Sequence, residues 1–82
     1  MSYVYVLKSI KYSKLYVGST TDLDRRISEH NAGLSIYTNL YKPWIVIYAE
    51  KFVKIEDARK REKYFKSCAG RKFLKKNINI PG

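Results

Sequence analysis

From Tyr3 to Ile10 the chain reads Tyr-Val-Tyr-Val-Leu-Lys-Ser-Ile, with apolar or aromatic side chains on both alternating faces. Such a run predicts a strand, and apolar character on both faces predicts one covered from two sides. The polar residues 11–14 predict a hairpin turn, and Leu15 to Ser19 a second strand. Leu23, Arg26, Ile27, His30 and Leu34 then recur at helical spacing, with Thr21 and Asp24 marking a start and Gly33 a stop. Residues 34–43 read as a polar-aromatic loop ending at Lys42-Pro43. Trp44 to Phe52 predicts a third strand, and residues 55–67 a helix with Glu56 and Asp57 near its positive end. Gly70 is expected to break that helix, Arg71 to Lys76 to form a short basic helix, and the tail from Asn77 to be loose. The fold class that follows is α+β. It is a small three-stranded sheet in β-β-α-β-α-α order, with helices packed against it.

Three features break this pattern. The inward stripe of the helix over 55–67 is Ile55, Ala58, Glu62, Phe65 and Ala69, with a carboxylate in its middle. An unpaired buried carboxylate costs several kcal/mol, so Glu62 needs a cation, a metal or a hydrogen-bond donor. A structural ion pair and a metal site satisfy that need equally well. On the first helix Arg26 and His30 are four residues apart, stacked on one face and flanked by Leu23 and Ile27. A lone histidine there is ordinarily a satisfied core residue, but an inward arginine beside it suits a phosphate better than a core. The third feature is tyrosine, eight residues of 82. If the turn pairs Ile10 with Leu15, then Tyr5, Tyr16 and Gly18 share one face of the sheet. Gly18 would there leave room for a ligand or another backbone.

Composition narrows the partners. Lysine and arginine number 17 against seven acids, a formal +10 on 82 residues. That density implies a polyanion, nucleic acid before anionic lipid. Membrane attachment would call for a long basic amphipathic helix or a lipidation signal, and neither is seen. No apolar run approaches a membrane span, and the start of the chain lacks the features of a signal peptide. Cys68 is the one cysteine and reads as an inert, half-buried thiol, which favours the cytoplasm. The length predicts one domain over residues 1–82.

Tyr3-Val4-Tyr5, Tyr16-Val17-Gly18, Arg26 and Glu62 stand in an order and spacing that resemble the GIY-YIG nuclease superfamily. The stretches 15–33 and 57–67 are similar to its small stand-alone bacterial members, relatives of the UvrC N-terminal domain. The resemblance covers nearly the whole chain. It departs at Tyr3, where the family has Gly, at Val4 and Val17, where it has Ile, and at Ser19, where UvrC-like members carry Lys. Asn77 is the one available counterpart of an Asn that follows the metal-site helix in those members.

The resemblance implies an endonuclease that hydrolyses DNA with Mg²⁺ or Mn²⁺. Glu62 would hold the metal and Arg26 would stabilise charge on the scissile phosphate. Tyr16 would be the general base or orient the attacking water, with Tyr5 beside it and His30 sharing the proton handling. Which of Tyr5, Tyr16 and His30 takes the proton is left open at this level. Lys42, Lys66, Arg71, Lys72 and Lys75 are expected to meet phosphates, though each also fits a solvated surface. Tyr37, Tyr41 and Trp44 would either stack on unpaired bases or pack the sheet, and Trp44 is expected to pack. With no appended domain, low sequence specificity or selectivity for DNA structure is expected, with a homodimer or partner protein as the other source of selectivity. A non-catalytic nucleic-acid-binding module on the same fold is the alternative.

Overall fold

The computed structural model describes residues 1–78; the expected loose tail therefore lies largely outside the described residues. Strands β1 (Ser2–Ser9), β2 (Leu15–Thr20) and β3 (Trp44–Phe52) form one antiparallel sheet in the order β2-β1-β3. Helices α1 (Leu23–Ala32), α2 (Ile36–Leu40), α3 (Ile55–Phe65) and α4 (Cys68–Asn77) complete the fold. The central position of β1 is what its two apolar faces predict. Val4 and Val6 point into a cluster with Phe65 and Leu74, on the side of α3 and α4. Tyr5 and Leu7 point into a second cluster with Trp44, Leu23 and Ile27, on the side of α1. Val4, Val6, Leu7 and Leu74, the buried aliphatic side chains of these clusters, each contribute roughly 1.5–3 kcal/mol. Among the described residues no helix is long and apolar enough to cross a membrane.

Several local expectations need correction. Asp22, not Thr21, caps α1, its carboxylate accepting from the Arg25 N–H at 3.1 Å. Gly33 does end α1, at φ 84, the left-handed conformation that glycine adopts without strain. The supposed loop 34–43 contains α2. Its buried residue is Thr38, while Ile36 is 87 % exposed, so the apolar pattern there is inverted. On α3, Ala58 and Phe65 are buried as expected, but Ala69 is exposed and belongs to α4. Cys68 is exposed, not half-buried.

Gly70 does not break a helix. It lies in the first turn of α4, where its N–H is capped by the Ser67 hydroxyl at 3.2 Å. A Cβ at position 70 would run into the Tyr64 carbonyl oxygen and lie 2.5 Å from the Phe65 Cα. Glycine thus lets α4 close against the end of α3, which sets the angle at which both helices meet the sheet. Replacing Gly70 by alanine is expected to lower unfolding stability by about 1–3 kcal/mol, the usual cost of overpacking. Urea unfolding followed by Trp44 fluorescence measures this; a loss below about 0.5 kcal/mol, the scale of a neutral surface change, would mean the corner is not tight.

A candidate active site on both sides of an edge strand

Tyr5 stands opposite Gly18, and Leu7 opposite Tyr16. The faces are those expected, but the register differs by two residues: Lys8, not Ile10, opposes Leu15, because the turn is longer. The space at Gly18 is not open to a ligand. It is filled by Tyr5, whose hydroxyl and Cζ would lie 2.5 and 2.7 Å from a Cβ at that position.

The Tyr5 hydroxyl is thereby held 2.9 Å from His30 Nε2. His30 Nδ1 is in turn 2.9 Å from the Thr38 hydroxyl oxygen, and Thr38 donates its own proton to the Ser35 carbonyl at 3.4 Å. With the Thr38 proton so committed, its oxygen accepts from His30 Nδ1–H, and Nε2 is left to accept from Tyr5. His30 and Thr38 are fully buried and Tyr5 is 1 % exposed. Burial, then the charge of Arg26, lowers the imidazole to about 4. Burial, then the neighbouring Tyr16, raises the Tyr5 phenol to about 12. Both groups are neutral at pH 7, as the hydrogen bond between them requires. The Trp44 indole N–H donates to the Thr38 carbonyl at 2.8 Å and fixes α2 in place. Trp44 is thus a packing residue.

Tyr16 lies over His30, ring centroids 4.8 Å apart, and unlike Tyr5 it is partly open to solvent. Arg26, one turn before His30 on α1, donates to Glu29 at 3.0 Å. Its positive charge also reaches Tyr5, partly offsetting the upward shift of the phenol.

Glu62 is on the other side. Even-numbered residues of β2 face α1, so Val17 and Ser19 face α3. The Ser19 hydroxyl donates to Glu62 Oε1 at 2.6 Å, and Lys66 pairs with Oε2 at 2.7 Å. The carboxylate therefore has both a donor and a cation, and the ion-pair expectation is met. Glu62's charge is still felt at Tyr5. Among the described residues strand β2 pairs only with β1, which leaves its outer edge open between the two halves of the site.

No group of three or more His, Cys, Asp or Glu that could hold a metal occurs among the described residues. Glu50 is engaged by Tyr48 and Arg61, and Glu29 by Arg25 and Arg26. The donor set around Glu62 is one carboxylate and one hydroxyl, which excludes a closed zinc cage. It fits Mg²⁺, which keeps most of its water and borrows phosphate oxygens. Lys66, half-exposed on a flexible stem, can swing off Oε2 to admit the ion.

Of the expected phosphate-contacting residues, Lys66, Arg71 and Lys75 line one groove together with Tyr16 and Tyr37. Lys72 is exposed outside it, and Lys42 lies by Gly33 at the far end of α1. Asn77 donates to the Phe73 carbonyl of its own helix at 2.9 Å. Sequence reasoning missed Thr38, Lys8 and Lys14; it noted Ser19 only as a departure from the UvrC-like pattern. A partner for a buried histidine was the one available signal for Thr38.

A family model described as the GIY-YIG catalytic domain matches residues 1–77. A UPF0213 protein of Staphylococcus haemolyticus is 38% identical over 74 residues, 89% of each chain. One from Listeria welshimeri is 46% identical over 68 residues, 82% of this chain and 74% of that one. The solution NMR structure of a UPF0213 protein from Bacillus halodurans superposes with a TM-score of 0.54 at 32% identity, covering 93% of this chain and 84% of that chain.

The buried imidazole has a consequence for stability. Well above pH 6.5 His30 is neutral whether the chain is folded or not, and its contribution is complete. Between 6.5 and about 4 the unfolded chain binds a proton that the folded chain refuses, so stability falls with pH. The loss from this group should approach about 3 kcal/mol at the acid end. Unfolding of the parent and of His30→Gln between pH 7 and 4 measures it, and the variant should lack this component of the slope. Protonation of His30 in the folded protein near pH 6.5, seen by NMR, would contradict it.

Proposed function

The chain belongs to the GIY-YIG family, and from that membership and the geometry of the site we propose that it is a divalent-metal-dependent endonuclease hydrolysing phosphodiester bonds in DNA. The observation that supports this best is the placement of Glu62. A carboxylate set among cations that attract phosphate repels the same ligand unless a metal intervenes. Here it lies across an open strand edge from a partly exposed phenol and a guanidinium.

The chain's own groups divide the work. Glu62, with the Ser19 hydroxyl beside it, would hold a hydrated Mg²⁺ or Mn²⁺, which supplies charge neutralisation at the leaving oxygen. Arg26 offers its guanidinium to the charge that develops on the phosphate. Tyr16, the solvent-reached phenol, orients the attacking water or, after releasing its own proton to solvent, takes one from it. Tyr5 and His30 are positioning residues. Tyr5 commits its proton inward to His30, so its oxygen can only accept on the side of Tyr16. An imidazole held at about 4 cannot keep a proton passed inward, so His30 orients Tyr5 and does not serve as the base. Thr38 fixes His30's tautomer and completes the chain.

Residues 1–82 would act as a single nuclease domain in the cytoplasm, with DNA as partner and no membrane role. Selectivity would come from DNA structure, or from a second copy or a protein partner, with low specificity for sequence.

Cleavage of labelled single-stranded, duplex, flap and branched DNA in Mg²⁺, Mn²⁺ or EDTA tests the proposal. Glu62→Ala and Arg26→Ala should each cut at least ~100-fold more slowly, while binding survives. Cutting that persists in Glu62→Ala, or binding with no cutting of any substrate, would favour a non-catalytic binding module, in which Glu62 is only an ion-pair partner. Thr38→Val should lower kcat roughly 10-fold with KM unchanged, and Thr38→Ser should restore it. A fall in KM-dependent terms alone would refute the positioning role of Thr38.

A further inference from the structure

The groove at the outer edge of β2 has a volume of about 750 Å³ and is lined by Lys8, Lys14, Lys66, Arg71 and Lys75. These cations come from β1, the hairpin turn, the end of α3 and one face of α4, where Arg71 and Lys75 are spaced by one helical turn. No aspartate or glutamate lines it among the described residues. Its aromatic lining is Phe65, Tyr37 and Tyr16, the last the phenol placed at the reacting centre above. The floor is the edge of β2 over residues 15–17.

The other end of β2 is different. Beyond Gly18 come Ser19, Thr20 and Thr21, then the exposed acids Asp22 and Asp24. The arginines there, Arg25 and Arg26, are paired with Glu29. Along β2 and the start of α1, the groove's cations therefore give way to acids and acid-paired arginines where the candidate chemistry begins.

We propose that this groove is a one-sided grip: it binds the phosphates of a nucleic-acid strand on the hairpin side of Tyr16 and leaves the strand almost unheld beyond Gly18. The inference rests on the nuclease reading for what happens at Tyr16, but not for the binding itself. An open strand edge could also pair with the same edge of a second copy. Charge opposes that occupant, because two chains of formal +10 would bring the same five cations face to face. The phosphate backbone, with its counterions to release, is the occupant this surface fits. Lys8 and Lys14 are thereby binding residues, and Lys66 serves both the groove and Glu62.

The test reads binding in EDTA, so it needs no cleavage. A fluorescent oligonucleotide is titrated at several salt concentrations into the parent, Lys8→Ala/Lys14→Ala, Arg71→Ala/Lys75→Ala and an off-groove control of two exposed lysines at the end of β3, Lys51→Ala/Lys54→Ala. Each groove pair should lose about 10-fold or more in affinity, with the salt slope falling by roughly 2, while the control changes less than about 3-fold. Amide chemical-shift mapping on the parent should show changes at residues 14–17, 37 and 66–75 and none at 20–25. Equal losses in groove and control variants, or shifts spread evenly over both ends of β2, would overturn the one-sided grip. Shifts at 15–17 that appear with protein concentration alone would assign the edge to a second copy and overturn it too. If the groove variants alone lose binding and the shifts stay on the hairpin side, but no DNA is ever cut, the grip stands and the nuclease reading falls.

Discussion

The contact between Tyr5 and Gly18 governs the arrangement of the site. Because position 18 carries no side chain, the hydroxyl end of the Tyr5 ring occupies that space beside the neighbouring strand and reaches His30. A methyl group at 18 would meet that hydroxyl and the ring carbon bearing it, and the ring would have to move. Moving it breaks the Tyr5–His30 bond, leaves a fully buried imidazole nitrogen without a partner, and disturbs the Tyr16 ring packed at a tilt against His30. Nothing in the buried half of the site has freedom to compensate, since His30 is fixed from behind by Thr38 and Thr38 by Trp44.

Strand β2 also separates charges that would otherwise cancel. Were Glu62 on the same face as Arg26, the two would pair and neither would be free for a phosphate or a metal. Instead Arg26 is held by Glu29 on its own helix, and Glu62 by Ser19 and a half-exposed Lys66. Both of Glu62's present partners can turn away at small cost: a hydroxyl can rotate, and a surface lysine pair is worth at most about 1 kcal/mol. The buried half is rigid and the metal-facing half is adjustable, a division suited to a site that must admit a hydrated ion and a polyanion together.

Much of this was legible in the sequence, and the exceptions have definite causes. Alternation gave the three strands and the shared face of Tyr5, Tyr16 and Gly18, because side-chain parity survives a two-residue slip in register. The register itself was hidden by the length of the turn. Helix α2 was invisible because its inward residue is a threonine and its outward ones are Ile36 and Leu40. The spacing of Arg26 and His30 announced an unusual helix face, yet nothing local could name Thr38 as the partner. Gly70 looked like punctuation but is a packing residue, which depends on where α3 ends in space. The misplaced carboxylate Glu62 was plain from helical periodicity; that Ser19, 43 residues earlier, would hold it was not.

Whether the two halves act on one phosphate turns on where a metal settles. Manganese-induced broadening of amide signals in the folded protein, compared with Glu62→Gln, measures that most directly. Broadening centred on Ser19 and Glu62, reaching Gly18 and Tyr16 across the strand and lost in the variant, is the predicted result. Broadening centred on Glu56 and Asp57 or on Asp22 and Asp24, or unchanged in the variant, would contradict a metal site on the edge of β2.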